Sequence, residues 1–399
     1  MSVPGPFDAG GPFGELMRNL ASLFTSSGPV NWEVARQVAG WAATSGQSEA
    51  NPDPLARVRI EELLRVAELH VGEATGLGAS GGGVLRARST TRQEWALRTL
   101  EAWRPLLEAL ATSMARGATQ GDDQADSPPP DPMGQLLGNL PQVLTPLLFG
   151  MQAGTMVGQL AARAMGQYDL PMPRPAADEL LFVPATIDAF AGDWSLQADE
   201  VRLWVCVREV AVHSVLSRAH VRAHVDGLIR DYVDAFAPDP DAVQGVVGSI
   251  DLNDPSSLEA AFGDPSAVLG QLRNDEQRRR QVPLQAMLSV LSGYVDHVVE
   301  RVGRTLITGY GPLTEALHRR RLEETGGAEI LGQLFGVELD GAAYERGQRF
   351  VAGIVERAGD DALQRLWRSA RELPTVAEVD APGLWLARID LPDDPPSGA

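Results

Sequence analysis

Apolar residues recur at three- and four-residue spacing along most of this chain, a pattern that lines one face of a helix rather than one face of a strand. It predicts helices over Trp32–Ala43, Leu55–Glu73, Thr91–Arg116, Val143–Met165, Ala198–Ser217, Leu284–Leu306 and Ala342–Ala358. Leu180–Pro184 is the clearest strand-like run, and it stops at a proline. The stretches 76–83 and 117–132 lack periodicity and are rich in Gly, Pro, Ser and Asp, so both are expected to be unstructured. The fold class expected is therefore mainly α with a minor β element. Its divisions are an N-terminal helical region with a flexible arm (1–116), a disordered linker (117–132), a core with C-terminal helices (133–390) and a flexible tail (391–399).

Leu147–Ala162 is uncharged and carries Gly150, Gly154 and Gly158 at every fourth position. It is shorter than the ~20 residues that cross a bilayer, and Gln152 and Gln159 interrupt it. The glycine stripe is read instead as the face on which a neighbouring helix approaches closely, and no membrane association is expected.

Composition narrows the chemistry. In 399 residues, apolar side chains make up 44% and charged ones 22%, enough for a large core in one helical domain or in two or three smaller ones. The balance of 34 basic against 53 acidic residues gives −19. That charge argues against nucleic acid as a partner, which needs a positive footprint. Every basic residue is arginine, as in proteins of GC-rich bacterial genomes, so lysine Schiff bases and phosphate-loop lysines are excluded. The arginine triplets 278–280 and 319–321 read as solvated helix faces. A single cysteine, Cys206, rules out an intrachain disulfide or a thiolate cluster and fits a cytoplasmic protein. Any imidazole metal site must draw on His70, His213, His220, His224, His297 and His318.

Two glycine-rich matches carry little. Gly76–Gly81 fits GxGxxG and Gly78–Gly82 fits GxSxG, yet both motifs work at a strand-to-helix turn, and here a helix precedes them. The informative segment is Ala198–Ser217, apolar nearly all round and therefore buried, with Arg208 and Glu209 at its centre. A buried ion must be paired, hydrogen-bonded or metal-bound, and a satisfied structural ion pair is one way to meet that need.

Gly166–Pro171 (GQYDLP), Leu180–Pro184 with the following Trp194, Arg202–His213 (RLWVCVREVAVH), Leu284–Val298 (LQAMLSVLSGYVDHV), Ile330–Leu339 and Tyr344 together resemble the actinobacterial zincin-like proteins labelled hydrolase or zinc-dependent metalloprotease. The resemblance covers most of the chain and implies a zincin-like helical domain. In zincins the HExxH helix presents two histidines four residues apart to one zinc, its glutamate is the general base, and a later element supplies the third ligand. Carried over by resemblance, the first histidine falls on Arg208, the glutamate on Glu209 and the second histidine on Val212. The third ligand falls on Ser292, just before Gly293–His297. Only the base position is kept, because a guanidinium and an isopropyl group offer no lone pair and a neutral serine is a poor zinc ligand.

Three readings follow. The first is a non-catalytic relative that keeps a groove for a peptide or protein partner and needs no cofactor, with Arg208 pairing with Glu209 or Asp296 in place of zinc. The second is an active zinc metallopeptidase rewired onto Glu209, His213 and either Asp296 or His297. The third is a structural or interaction protein working through its acidic surface. His220 and His224, four apart without a base beside them, read as a surface pair.

Overall fold

The computed structural model describes residues 28–79, 83–119, 132–236, 274–322, 332, 334–337 and 339–391. The expected N-terminal arm and all but the first residue of the expected tail lie outside them, as does most of the linker. Helices dominate: α1 (Trp32–Thr44), α2 (Pro54–Thr75), α3 (Arg92–Thr119), α4 (Pro132–Arg163), α5 (Pro184–Asp193), α6 (Ala198–Leu216), α7 (Ala219–Asp234), α8 (Asp275–Leu306), α9 (Tyr310–Leu322) and α10 (Gly341–Ala358). Short 3₁₀ turns at Asp360–Trp367 and Ala370–Glu372 follow, then α11 (Val376–Asp380) and α12 (Pro382–Asp390). Two strands, β1 (Arg86–Ser89) and β2 (Glu179–Phe182), pair in parallel with Arg86 opposite Glu179 and Ser89 opposite Phe182. The class is mainly α.

Local chemistry sets the boundaries. Asn31 caps α1 by accepting from the Val34 amide, and Asn274 and Gln277 close a reciprocal capping box on α8. α2 begins with Pro54 behind an Asp53 cap and ends at Gly76, whose φ of 65° glycine adopts without penalty while its amide returns to the Gly72 carbonyl. The stretch expected to be unstructured from 76 thus starts as an ordered helix cap, and Leu77 and Ala79 behind it are buried; residues 80–82 lie outside the described ones. The expected linker start at 117 also shifts, because α3 continues to Thr119. A lone glycine costs a helix about 1 kcal/mol, which does not end it.

α1 lies along the glycine stripe of α4. A methyl group at Gly154 would stand 2.5 Å from the Ala35 carbonyl oxygen, and one at Gly158 2.5 Å from the Ala42 side chain. The stripe therefore seats a neighbouring helix, and no helix among the described residues is long and apolar enough to cross a membrane. α2 packs on α6, α6 on α8, and α8 on α7 and α10. One apolar cluster runs through all of them, from Ala35 to Ile389, so the segments on either side of residues 117–132 share a core. The C-terminal turns close over it: Trp367 meets Tyr294 edge-on with centroids 5.2 Å apart, and the Trp385 indole donates to the Glu372 carbonyl at 2.7 Å.

Candidate functional site

The segment between α4 and β2 passes over the middle of α6 and brings polar groups to Arg208 and Glu209, the charges at the centre of that buried helix. Gly166 is fixed from two sides. Its carbonyl accepts from the Trp95 indole at 2.8 Å, and its backbone bridges Phe182 at the end of β2. A glycine is required there, because a methyl group would overlap the carboxyl carbon of Glu209. Asp169 turns back to accept from the Met165 amide at 3.2 Å.

Held in this way, the segment satisfies Glu209, which is 1% exposed. One carboxylate oxygen accepts from the Tyr168 amide at 2.8 Å, and the other accepts from Arg208 Nη1 at 3.0 Å. The same Arg208 nitrogen donates to the Tyr168 carbonyl at 3.0 Å. Arg208 and Glu209 are sequence neighbours, so their side chains meet only because the guanidinium curls back against the helix to reach this carbonyl. Burial pushes the Glu209 carboxyl up to about 7, partly offset by Arg208 and by the Gln167 and Tyr168 amides, while Asp169 adds to the rise.

One turn along α6, His213 Nδ1 lies 3.0 Å from the Tyr168 hydroxyl. Burial lowers this imidazole to about 4, against the opposing pull of Asp178, and raises the Tyr168 phenol to about 12. Both groups are therefore neutral at physiological pH. Tyr168 links the cluster, with its amide on Glu209, its carbonyl on Arg208 and its hydroxyl on His213.

The other candidates sit elsewhere. Val212 is buried in the core. Ser292 is half-buried on α8 beside Gly293, where α8 and the Gly347 backbone of α10 come into close contact. Asp296 accepts from Gln348 at 3.5 Å, and His297 lies 3.2 Å from Asp360. His70 pairs with Glu73 at 3.2 Å, His220 is half-buried and His224 is exposed on α7. Among the described residues, which include all six histidines and Cys206, no three His, Cys, Asp or Glu side chains gather as a metal site.

Two cavities adjoin the cluster. A small one of about 60 Å³ is lined by Arg208, Glu209, Asp169, Arg320 and Tyr344 over an apolar floor that includes Trp204 and Leu317. Those last two residues also line a larger cavity of about 730 Å³, whose walls carry Asp296, Glu300, Tyr310, Glu315 and His318. α6 and α8 thus flank a common space through Trp204 and Asp296. Tyr168 lies in the Gly166–Pro171 tract but had no role assigned from sequence, and Arg320, in a triplet expected to be a solvated face, is instead half-buried with its guanidinium on the Arg163 carbonyl and over Phe190. The usable signal for Tyr168 was the need of a buried Glu209 for amide donors.

The sequence pattern of zincin-like metallopeptidases matches residues 30–386. No curated protein matches the chain. A solved structure from Chloroflexus aurantiacus, provisionally named a hydrolase with a novel fold, is similar at 22% identity and a TM-score of 0.61, over 91% of this chain and 99% of that one. This second likeness concerns the fold. The family match spans most of the chain, and the protein belongs to the zincin-like metallopeptidase family.

Proposed function

We propose that this protein is a non-catalytic member of its family, in which an ion pair stands where relatives hold a metal and the groove serves to bind a peptide or protein partner. The supporting observation is the Arg208–Glu209 contact at 3.0 Å, inside a segment that satisfies both charges. The donor set does not fit zinc. Arg208 is a permanent cation without a lone pair, Val212 is buried apolar surface, and Ser292 offers a neutral hydroxyl. A guanidinium beside a buried carboxylate supplies the positive charge that such a carboxylate otherwise takes from a metal. His213 does not replace the lost ligand: moving one residue along a helix turns a side chain by about 100°, and its Nδ1 is spent on Tyr168. The protein would act in the cytoplasm.

Restoring the family's ligands tests this reading. The triple variant Arg208→His, Val212→His and Ser292→Glu is expected to bind zinc that the parent does not, measured by chelator competition on folded protein. A folded triple variant with no gain in zinc affinity contradicts the assignment of these positions. Zinc-dependent peptide hydrolysis by the parent contradicts the non-catalytic reading itself.

A further inference from the structure

The cavity above the ion pair has a composition that the pair alone does not explain. Arg208 uses Nη1 for both of its hydrogen bonds, and among the described residues its Nη2 and Nε make none, although the side chain is only 20% exposed. A half-enclosed guanidinium edge with unused donors is a ready partner for a planar oxyanion. A second guanidinium, Arg320, lines the same cavity. Its position is fixed by a hydrogen bond to the Arg163 carbonyl at 2.5 Å and by stacking over Phe190 at 5.5 Å. Tyr344 adds a phenol from α10.

The size fits a small group. At about 15 Å³ for each water-sized occupant, a 60 Å³ cavity takes about four heavy atoms, the number in a carboxylate and its α-carbon. Beyond Trp204 and Leu317 the space widens into the 730 Å³ cavity, where Glu300 pairs with Arg304 and Glu315 with Arg319, and Asp296 adds a third carboxylate beside Gln348. Asp169 and Glu209 also line the small cavity, but each already accepts from a backbone amide, of Met165 and Tyr168, whereas Arg208 keeps unused donors. A ligand that spans both cavities and uses those donors is anionic at its end and cationic further back.

We infer that the Arg208 cavity holds a free α-carboxylate, and that its ligand is the carboxyl-terminal segment of a peptide whose basic side chain lies in the adjoining acidic cavity. This deepens the peptide-binding reading and rests on it. Arg208 then has two roles: Nη1 neutralises Glu209, and the remaining edge with Arg320 binds the chain terminus. Trp204 forms the apolar saddle under the last residues.

The test is fluorescence anisotropy on the full chain with fluorescein-Gly-Ser-Gly-Arg-Ala-Leu as free acid, as its carboxyl-terminal amide, and with the arginine replaced by glutamate. The free acid is expected to bind more tightly than either alternative by about tenfold or more, as loss of a charged hydrogen-bonding partner commonly costs. Arg320→Gln is expected to erase the preference for acid over amide, and Asp296→Asn the preference for arginine over glutamate. Should Arg208→Gln unfold the chain by leaving Glu209 unpaired, the neutral pair Arg208→Gln with Glu209→Gln serves in its place. Equal binding of acid and amide, or binding of neither, overturns the inference. Acetate or phosphate binding as tightly as the free-acid peptide overturns the peptide assignment. Zinc measured in the same preparation separates the two claims. Zinc held at Glu209 sinks the non-catalytic reading whatever the peptides do, whereas metal-free protein indifferent to the carboxylate sinks this inference alone.

Discussion

Glu209 and His213 stand one turn apart on α6, and burial pushes each toward its neutral form, the carboxyl up to about 7 and the imidazole down to about 4. The consequences for stability have opposite signs. Ionising Glu209 in the fold is unfavourable, so stability falls as pH rises from its unfolded value of 4.5 to about 7. Protonating His213 in the fold is also unfavourable, so stability falls as pH drops from 6.5 to about 4. Each effect is on the order of 3 kcal/mol at full extent, and between pH 4.5 and 6.5 the two nearly cancel. Glu209→Gln removes one slope and is expected to leave a protein whose stability, relative to the parent, climbs with pH across that window in urea unfolding. A difference between the two proteins that does not change with pH contradicts the assignment. At this scale the sequence was partly legible. An arginine and a glutamate inside an otherwise apolar helix announce a buried pair, but their shared partner Tyr168 lies 40 residues away from Arg208 and 41 from Glu209, and no local pattern links them.

Helix contacts show the same division between local and distant information. The four-residue glycine stripe on α4 announced a close neighbour without naming it, and α1 fills that place because its own facing residues, Ala35, Ala39 and Ala42, are small. α7 was missed although Val221, Val225, Ile229, Tyr232 and Val233 recur on one face of it at helical spacing, whereas α9, interrupted by arginines, carries little amphipathic pattern to read. β1 was missed because its RARS sequence has no apolar alternation and owes its strand state to pairing with β2. Among the described glycines, those at the crossing of α8 and α10 leave the least room for a side chain. A methyl group at Gly347 would overlap the Ser289 carbonyl, and one at Gly293 would overlap the Gly347 backbone. Gly347→Ala is expected to lower stability by at least about 2 kcal/mol, read as a lower urea midpoint at unchanged slope, because backbone rather than a flexible side chain must move. An unchanged midpoint contradicts this packing.

For the whole molecule, periodicity and composition conveyed a mainly α chain, and the Gly166–Pro171 and Arg202–His213 tracts carried the family. They could not convey that the helices before and after residues 117–132 bury one continuous core, since that depends on which faces meet in space. Nor could they convey the paired cavities, which α6, α8, α9 and α10 build from residues scattered between Met165 and Gln348. The account turns on what neutralises Glu209 at the centre of this assembly. Its most direct test is the metal content of the full-length protein, dialysed against excess zinc, passed through a desalting column and measured by mass spectrometry. The ion-pair account predicts only a trace of zinc and no change in thermal stability on adding a chelator; about one tightly held zinc per chain, lost together with stability in chelator, would contradict it.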